Sequence, residues 1–282
     1  MLMRINRNLI LLGLILASAC APKAPDTATP VPSVTSVPLQ SVAPTAEPPN
    51  VTPVESAFAP GNSTAAPLGD SIKSQTVTFD APDGATITAE LYGSGKTAVI
   101  YSVMGNCKQG WRELAQLTAA QGLMALTYQW RGCRVDGSVD ENEIQKFVDD
   151  LRGAIHFMRD QGATKIILAG ASLGGCASAK LAVESQASGL IVIASPSEIP
   201  LWNFEIEAAD MNTEIPKLFI TAENDNTVAA DKTRVLYDLA AQPKEWQTYP
   251  GTAHGTDLFE TKSGGELQER ILNFILAIAT KS

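Results

Sequence analysis

Apolar and polar positions along the chain fall into three textures. Leu9 to Leu16 is one short apolar run, residues 21–69 show no regular period, and from about Asp70 short apolar runs alternate with helical patterns. Ser74–Phe79 and Ala85–Tyr92 alternate in β fashion around Pro82-Asp83-Gly84, a turn signal, and predict a hairpin. Further strands are predicted at Thr97–Val103, Leu123–Trp130, Lys165–Ala171, Leu190–Ser195, Lys217–Ala222 and Glu245–Tyr249. Helical spacing is predicted over Trp111–Gln121, Glu143–Gln161, Leu173–Gln186, Asp231–Ala241 and Gly265–Thr280. Runs such as Ile166-Ile167-Leu168 suit strands buried on both faces of a parallel sheet. A hairpin leading into repeated βα units predicts an α/β fold with helices on both sides of the sheet.

The chain has 282 residues, a net charge of −9, four cysteines and two histidines. The acidic balance argues against nucleic-acid binding, and the absence of a CxxC spacing against a zinc site. Met1 to Ala19 has the order of an export signal: Arg4 and Arg7, the apolar run, then small residues. The run is too short to span a bilayer. Its end, Ala17-Ser18-Ala19-Cys20, resembles the bacterial lipoprotein signal, which implies lipidation of Cys20; ordinary cleavage after Ala-x-Ala is the alternative. Removing residues 1–19 takes the net charge from −9 to −11.

Residues 20–69 read as a lipidated cysteine followed by a tether. Eleven of the 17 prolines lie between 21 and 69, and Phe58 is the only aromatic residue there. Such a stretch buries too little apolar area to offset its ordering entropy. At about 3.1 Å per residue it would reach roughly 150 Å fully extended. The expected location is extracytoplasmic, anchored to a membrane through the N-terminal lipid. Residues 70–282 form the expected folded domain.

Within that domain, Lys165 to Ala171 leads into Gly170-Ala171-Ser172-Leu173-Gly174 and then a helix of small residues. A glycine-flanked turn between strand and helix would push the Ser172 hydroxyl out at the C-terminal edge of the sheet. A serine nucleophile needs a base, and only His156 and His254 are available. His156 sits within a predicted helix. His254 lies in the glycine-flanked loop Pro250-Gly-Thr-Ala-His254-Gly255 after the last strand, where active-site loops of open α/β sheets gather. Asp225, in the loop after Lys217–Ala222, is the favoured carboxylate; Glu198, Glu223 and Asp231 are rivals.

These motifs, with Val228 after Asp225 and the partial motif Tyr128-Gln-Trp-Arg131-Gly132-Cys133, resemble the α/β-hydrolase superfamily, nearest its small-lid, dienelactone-hydrolase-like and esterase-like members. The resemblance runs from about Ser74 to the C-terminus. It implies a mostly parallel eight-stranded sheet and ester hydrolysis through a Ser172–His254–Asp225 triad and an acyl-enzyme, with no cofactor or metal. The oxyanion donors would be the backbone N–H groups of Leu173 and Met104. An amidase or exopeptidase would use the same triad, and a binding lipoprotein on the same scaffold would use none of it.

One departure stands out. Where the family usually has His-Gly after its third strand, this chain has Ser102-Val103, and β-branched Val103 disfavours the positive φ that glycine allows. The family's strand order places Cys107 and Cys133 after neighbouring strands, implying a bridge at the site's rim; Cys107 with Cys176 is the alternative. Between Ser195 and Lys217 there is room only for a short lid, in which Trp202, Phe204, Ile206 and Met211 would line an acyl pocket or pack on the sheet. The expected substrate is a small-molecule or polymer-end acyl compound taken by an open, shallow site.

Overall fold

A computed structural model of the protein describes residues 72–281. The expected export signal at 1–19, the expected lipidation at Cys20 and the expected tether over 20–69 lie outside the described residues.

The chain starts with an antiparallel hairpin, β1 (Gln75–Asp80) and β2 (Thr86–Tyr92), with Phe79 opposite Ile87. Strands β3 (Thr97–Ser102), β4 (Met124–Tyr128), β5 (Lys165–Ala171) and β6 (Gly189–Ile193) follow. After the two-residue pair β7 (Glu198–Ile199) and β8 (Phe204–Glu205) come β9 (Lys217–Ala222) and β10 (Lys244–Tyr249). The main sheet has eight strands in the order β1-β2-β4-β3-β5-β6-β9-β10. β2 meets β4 antiparallel, and from β4 to β10 every pairing is parallel. β3, β4, β6 and β9 are buried throughout, as strands covered on both faces must be.

Six helices accompany the sheet: α1 (Arg112–Ala120), α2 (Glu141–Ile144), α3 (Phe147–Asp160), α4 (Leu173–Lys180), α5 (Ala230–Leu239) and α6 (Gly264–Ala279). Alternation along β3 shows how α1 and α3 cover opposite faces. The Tyr101 hydroxyl is hydrogen-bonded to Thr118 on α1, at 2.7 Å. The next residue, Ser102, points the other way to Tyr128, whose ring packs edge-on against Phe79, itself stacked on Phe157 of α3.

Two predicted helices are shorter than their periodicity. The run expected over Glu143–Gln161 is broken into α2 and α3. Asp140 caps α2 through the N–H groups of Asn142 and Glu143, and the turn sits on Gly132, where a Cβ would come 2.7 Å from Ile144 N. The helix expected to reach Gln186 ends at Lys180, and the chain continues in turns. There the Val183 N–H donates to Asp210 O, and Gln186 takes φ 50°. The neighbouring amides keep local bonds, such as Ser185 N to Leu181 O, so only Val183 turns to a distant segment. Among the described residues no helix is long and apolar enough to cross a membrane.

One buried ion pair joins the loop after β4 to α3. The Asp150 carboxylate accepts from Arg131 N at 2.9 Å and Nε at 2.6 Å, while Arg131 also pairs with Asp83 in the hairpin turn. Burial raises the Asp150 carboxyl above its ordinary range, and the Arg131 bonds oppose that. Removing one member of a buried pair leaves the other uncompensated. Asp150→Ala should therefore cost about 3 kcal/mol and lower Tm by about 6–12 °C, read by calorimetry against wild type.

Candidate active site

Ser172 stands between β5 and α4 with φ 52° and ψ −118°, a conformation that side chains other than glycine seldom take. Its backbone N–H donates to Ile193 O of β6 at 2.8 Å, which ties the turn to the sheet. Two flanking glycines let the turn close. A Cβ on Gly170 would stand 2.1 Å from Gly174 O, and one on Gly174 would stand 2.2 Å from Ser102 O. The hydroxyl is thus presented on a tight elbow at the C-terminal edge of the parallel strands.

Asp225 and His254 are brought together because the loops after β9 and β10 keep pairing past the sheet. Glu223 N donates to Tyr249 O at 2.9 Å and Asn224 N to Gly251 O at 3.0 Å. The buried Asp225 carboxylate then meets His254 Nδ1 at 2.9 and 3.1 Å. It also accepts from Thr227 N at 2.8 Å and Val228 N at 2.9 Å, so its orientation is set from both sides. An ionised carboxylate only accepts, so Nδ1 carries the proton and Nε2 is left as an acceptor.

The rivals are elsewhere. Glu198, Glu223 and Asp231 are exposed and make no bond to His254. His156 is exposed on α3. Ser172 and His254 open on one cleft of about 370 Å³ that Met104, Asn106, Asn226 and Thr252 also line. Among the described residues no hydrogen bond reaches the Ser172 hydroxyl. Nor does any group of three or more potential metal-ligating side chains come together among the described residues.

The loop after β3 departs from its sequence-based expectation in an instructive way. Val103 is not at positive φ; the left-handed residue of this loop is Cys107, at φ 64°. Steric conflict at the β-branched position is therefore absent. Two buried indoles hold the strand end instead: Trp111 Nε1 donates to Ser102 O at 3.0 Å, and Trp130 Nε1 to Val103 O at 3.1 Å. Among the described residues the N–H groups of Met104 and Leu173 have no acceptor.

Cys107 and Cys133 are joined by a disulfide, with Cα atoms 5.8 Å apart, that ties the β3 loop to the β4 loop. A bridge over 26 residues contributes about 3 kcal/mol in the chain-entropy description. Cys176 is free and buried, its thiol accepted by Pro196 O, and burial pushes its pKa up to about 12, so it is inert.

The short lid does not reach the cleft. Ile206 and Met211 are buried in the core, Trp202 packs near Phe147, and Phe204 packs edge-on against Phe147 at 5.0 Å while facing a separate hollow beside Val148 and Lys180. These four side chains pack on the body rather than forming an acyl pocket. What the sequence did not single out is the polar lining: Asn106, Asn226, Thr227, Thr252 and Asp257. Loop amides and hydroxyls carry no periodicity, so no signal marked them. Trp130 was visible only as part of a partial motif.

No family model matches the sequence, and no curated protein matches it. Solved structures do match its fold. The esterase domain of a Rhodothermus marinus protein aligns with a TM-score of 0.55 and 16% identity, over 72% of this chain and 100% of that one. An esterase from Pyrococcus furiosus aligns at 0.58 and 14% identity, over 73% and 93%. An α/β serine hydrolase without a lid from Xanthomonas campestris aligns at 0.56 and 18% identity, over 74% and 97%.

The elbow stores strain that a glycine would release. Strain of about 1–3 kcal/mol, offset by roughly 0.5–1 kcal/mol of extra chain entropy, leaves Ser172→Gly more stable than Ser172→Ala by about 1 kcal/mol. Paired urea melts of the two variants should show the glycine form with the higher midpoint.

Proposed function

We propose that this chain, which has the α/β-hydrolase fold with minimal lid structure, is a serine hydrolase that cleaves carboxylic esters. The observation that carries the reading is the Asp225–His254 pair beside a strained Ser172 on the same cleft. In this reading Ser172 Oγ attacks the ester carbonyl while His254 Nε2 takes its proton. The Asp225 carboxylate stabilises the imidazolium formed. The N–H groups of Leu173 and Met104 receive the charge that develops on the carbonyl oxygen. His254 then gives the proton to the departing alcohol, leaving an acyl group on Ser172. Water, giving a proton to His254, attacks that acyl group; the bond to Ser172 Oγ breaks, His254 returns the proton to Oγ, and the carboxylic acid leaves. That the matched structures include esterases supports the choice of ester over amide.

The substrate scope follows from the lining. Among the described residues, Met104 and Ala253 are the apolar side chains that border the cleft, and the rest of its lining is largely polar. Asn106, Asn226, Thr252 and Asp257 supply donors and acceptors suited to a hydroxyl-rich, water-soluble alcohol or polymer end. At the rim Lys108 is shared by Asp257 at 2.5 Å and Glu260 at 2.9 Å, so the local balance stays acidic and disfavours anionic substrates. The short acyl chain is the part that fits.

The proposed setting is extracytoplasmic, with the domain held to a membrane by lipid on Cys20 and carried on the tether over 20–69. The order of charges, apolar run and small residues before Cys20 supports it, and a disulfide between Cys107 and Cys133 suits an oxidising compartment.

A fluorophosphonate probe should label Ser172 in the wild type and leave Ser172→Ala unlabelled; equal labelling of both would end the proposal. His254→Ala should lower kcat/KM for p-nitrophenyl acetate by about 10⁴-fold or more. Across p-nitrophenyl esters from acetyl to octanoyl, kcat/KM should not rise, since an acyl chain that meets a mostly polar lining gains little of the ~0.8 kcal/mol per methylene that burial would supply. A rise along that series would overturn the short-acyl assignment.

A further inference from the structure

We infer that Trp130 is a positioning residue for the oxyanion site, its indole N–H locking the peptide between Val103 and Met104 so that the Met104 N–H is aimed for catalysis. The inference rests on the serine-hydrolase reading above and extends it to a residue outside the triad. Its basis is the planarity of the peptide unit. In a trans peptide the carbonyl oxygen and the following N–H point in opposite directions. Trp130 Nε1 donates to Val103 O at 3.1 Å, so the orientation of that carbonyl sets the orientation of the Met104 N–H on the other side of the same plane. Among the described residues that N–H has no acceptor, and Met104 borders the cleft shared with Ser172 and His254.

Neighbouring contacts leave the indole little freedom. Trp130 is 1% exposed, wedged edge-on between Tyr128 at 5.0 Å and Phe147 at 6.1 Å. A second indole, from Trp111, holds the preceding carbonyl, that of Ser102, at 3.0 Å. The Cys107–Cys133 disulfide joins the far ends of the two segments that carry Met104 and Trp130. Three constraints therefore converge on the six residues from Ser102 to Cys107. They replace what a flexible glycine at position 103 would permit with a rigid arrangement reached at ordinary φ. An unlocked peptide could rotate its N–H away from the developing charge without any change at Ser172 or His254.

The discriminating change removes the N–H and keeps the ring. Replacing Trp130 by 3-benzothienylalanine puts sulfur where the indole nitrogen stands; Trp130→Phe is the simpler companion. Tyr128→Phe is the control, because it removes a buried hydroxyl bonded to Ser102 Oγ at 2.9 Å in the same cluster without touching the Val103 carbonyl. With p-nitrophenyl acetate, the benzothienyl protein should lose about 10- to 100-fold in kcat, less than the cost of deleting an oxyanion donor. KM should stay within about threefold, and affinity for a trifluoromethyl ketone should weaken by the same factor as kcat.

A merely structural role for the ring predicts unchanged kcat in the benzothienyl protein, with Trp130→Phe alone impaired or unfolded. A benzothienyl protein within about threefold of wild type in kcat, or a Tyr128→Phe control that loses as much, overturns the lock. Failure of the wild type to be labelled at Ser172 overturns the parent reading instead, so the two failures are told apart.

Discussion

The first turn of α4 lies against the end of β3 so closely that there is no room for a side chain at Gly174, and both halves of the candidate site depend on that approach. On one side it forces Ser172 into its left-handed φ and leaves the hydroxyl at the cleft. On the other it brings the α4 N-terminus, with the Leu173 N–H, beside the loop that carries Met104. Oxyanion stabilisation needs two donors aimed at one point, and donors from two separate segments converge only when those segments are packed at backbone distance.

Around that contact the interior is unusually polar for a sheet core. Ser102, Tyr128, Trp111, Trp130, Arg131 and Asp150 form adjoining hydrogen-bonded groups at the C-terminal ends of β3 and β4. Buried donors must be satisfied, and here the two indoles are satisfied by carbonyls at the end of β3 and just beyond it, and Arg131 by the Asp150 carboxylate of α3. The stability of the core and the shape of the site are then one problem. Rigid loops also explain why a chain with so little lid can keep a defined cleft: its walls are held from behind by indoles and a disulfide rather than covered from above.

The aromatic residues between β6 and β9 illustrate how tertiary packing reassigns a sequence feature. Trp202, Phe204, Ile206 and Met211 have the composition of an acyl pocket, yet burial on Phe147 and the core removes more apolar surface from water than facing an open cleft would. The cleft is left to amides and hydroxyls from loop tips, and its chemistry is that of a polar surface. Apolar content alone left both outcomes open, and the packing chose between them.

How much could be read from residues in order follows the range of the forces involved. Strands Lys165–Ala171 and Lys217–Ala222 were legible to the residue because short runs rich in apolar residues and bounded by turns have few other fates, and Ser172, Asp225 and His254 stood out because each sits in a loop after a predicted strand. Local capping and the Val183 bond to Asp210 O shortened two helices beyond what periodicity could reveal. The amino-acid order by itself determined the alternation of strands and helices, and with it which loops gather at one edge. Only the tertiary structure decided that Asp225 rather than its rivals meets His254, that Val103 escapes strain, and that Trp130 reaches its carbonyl. Those outcomes turn on distances between segments far apart along the chain, which no local pattern encodes.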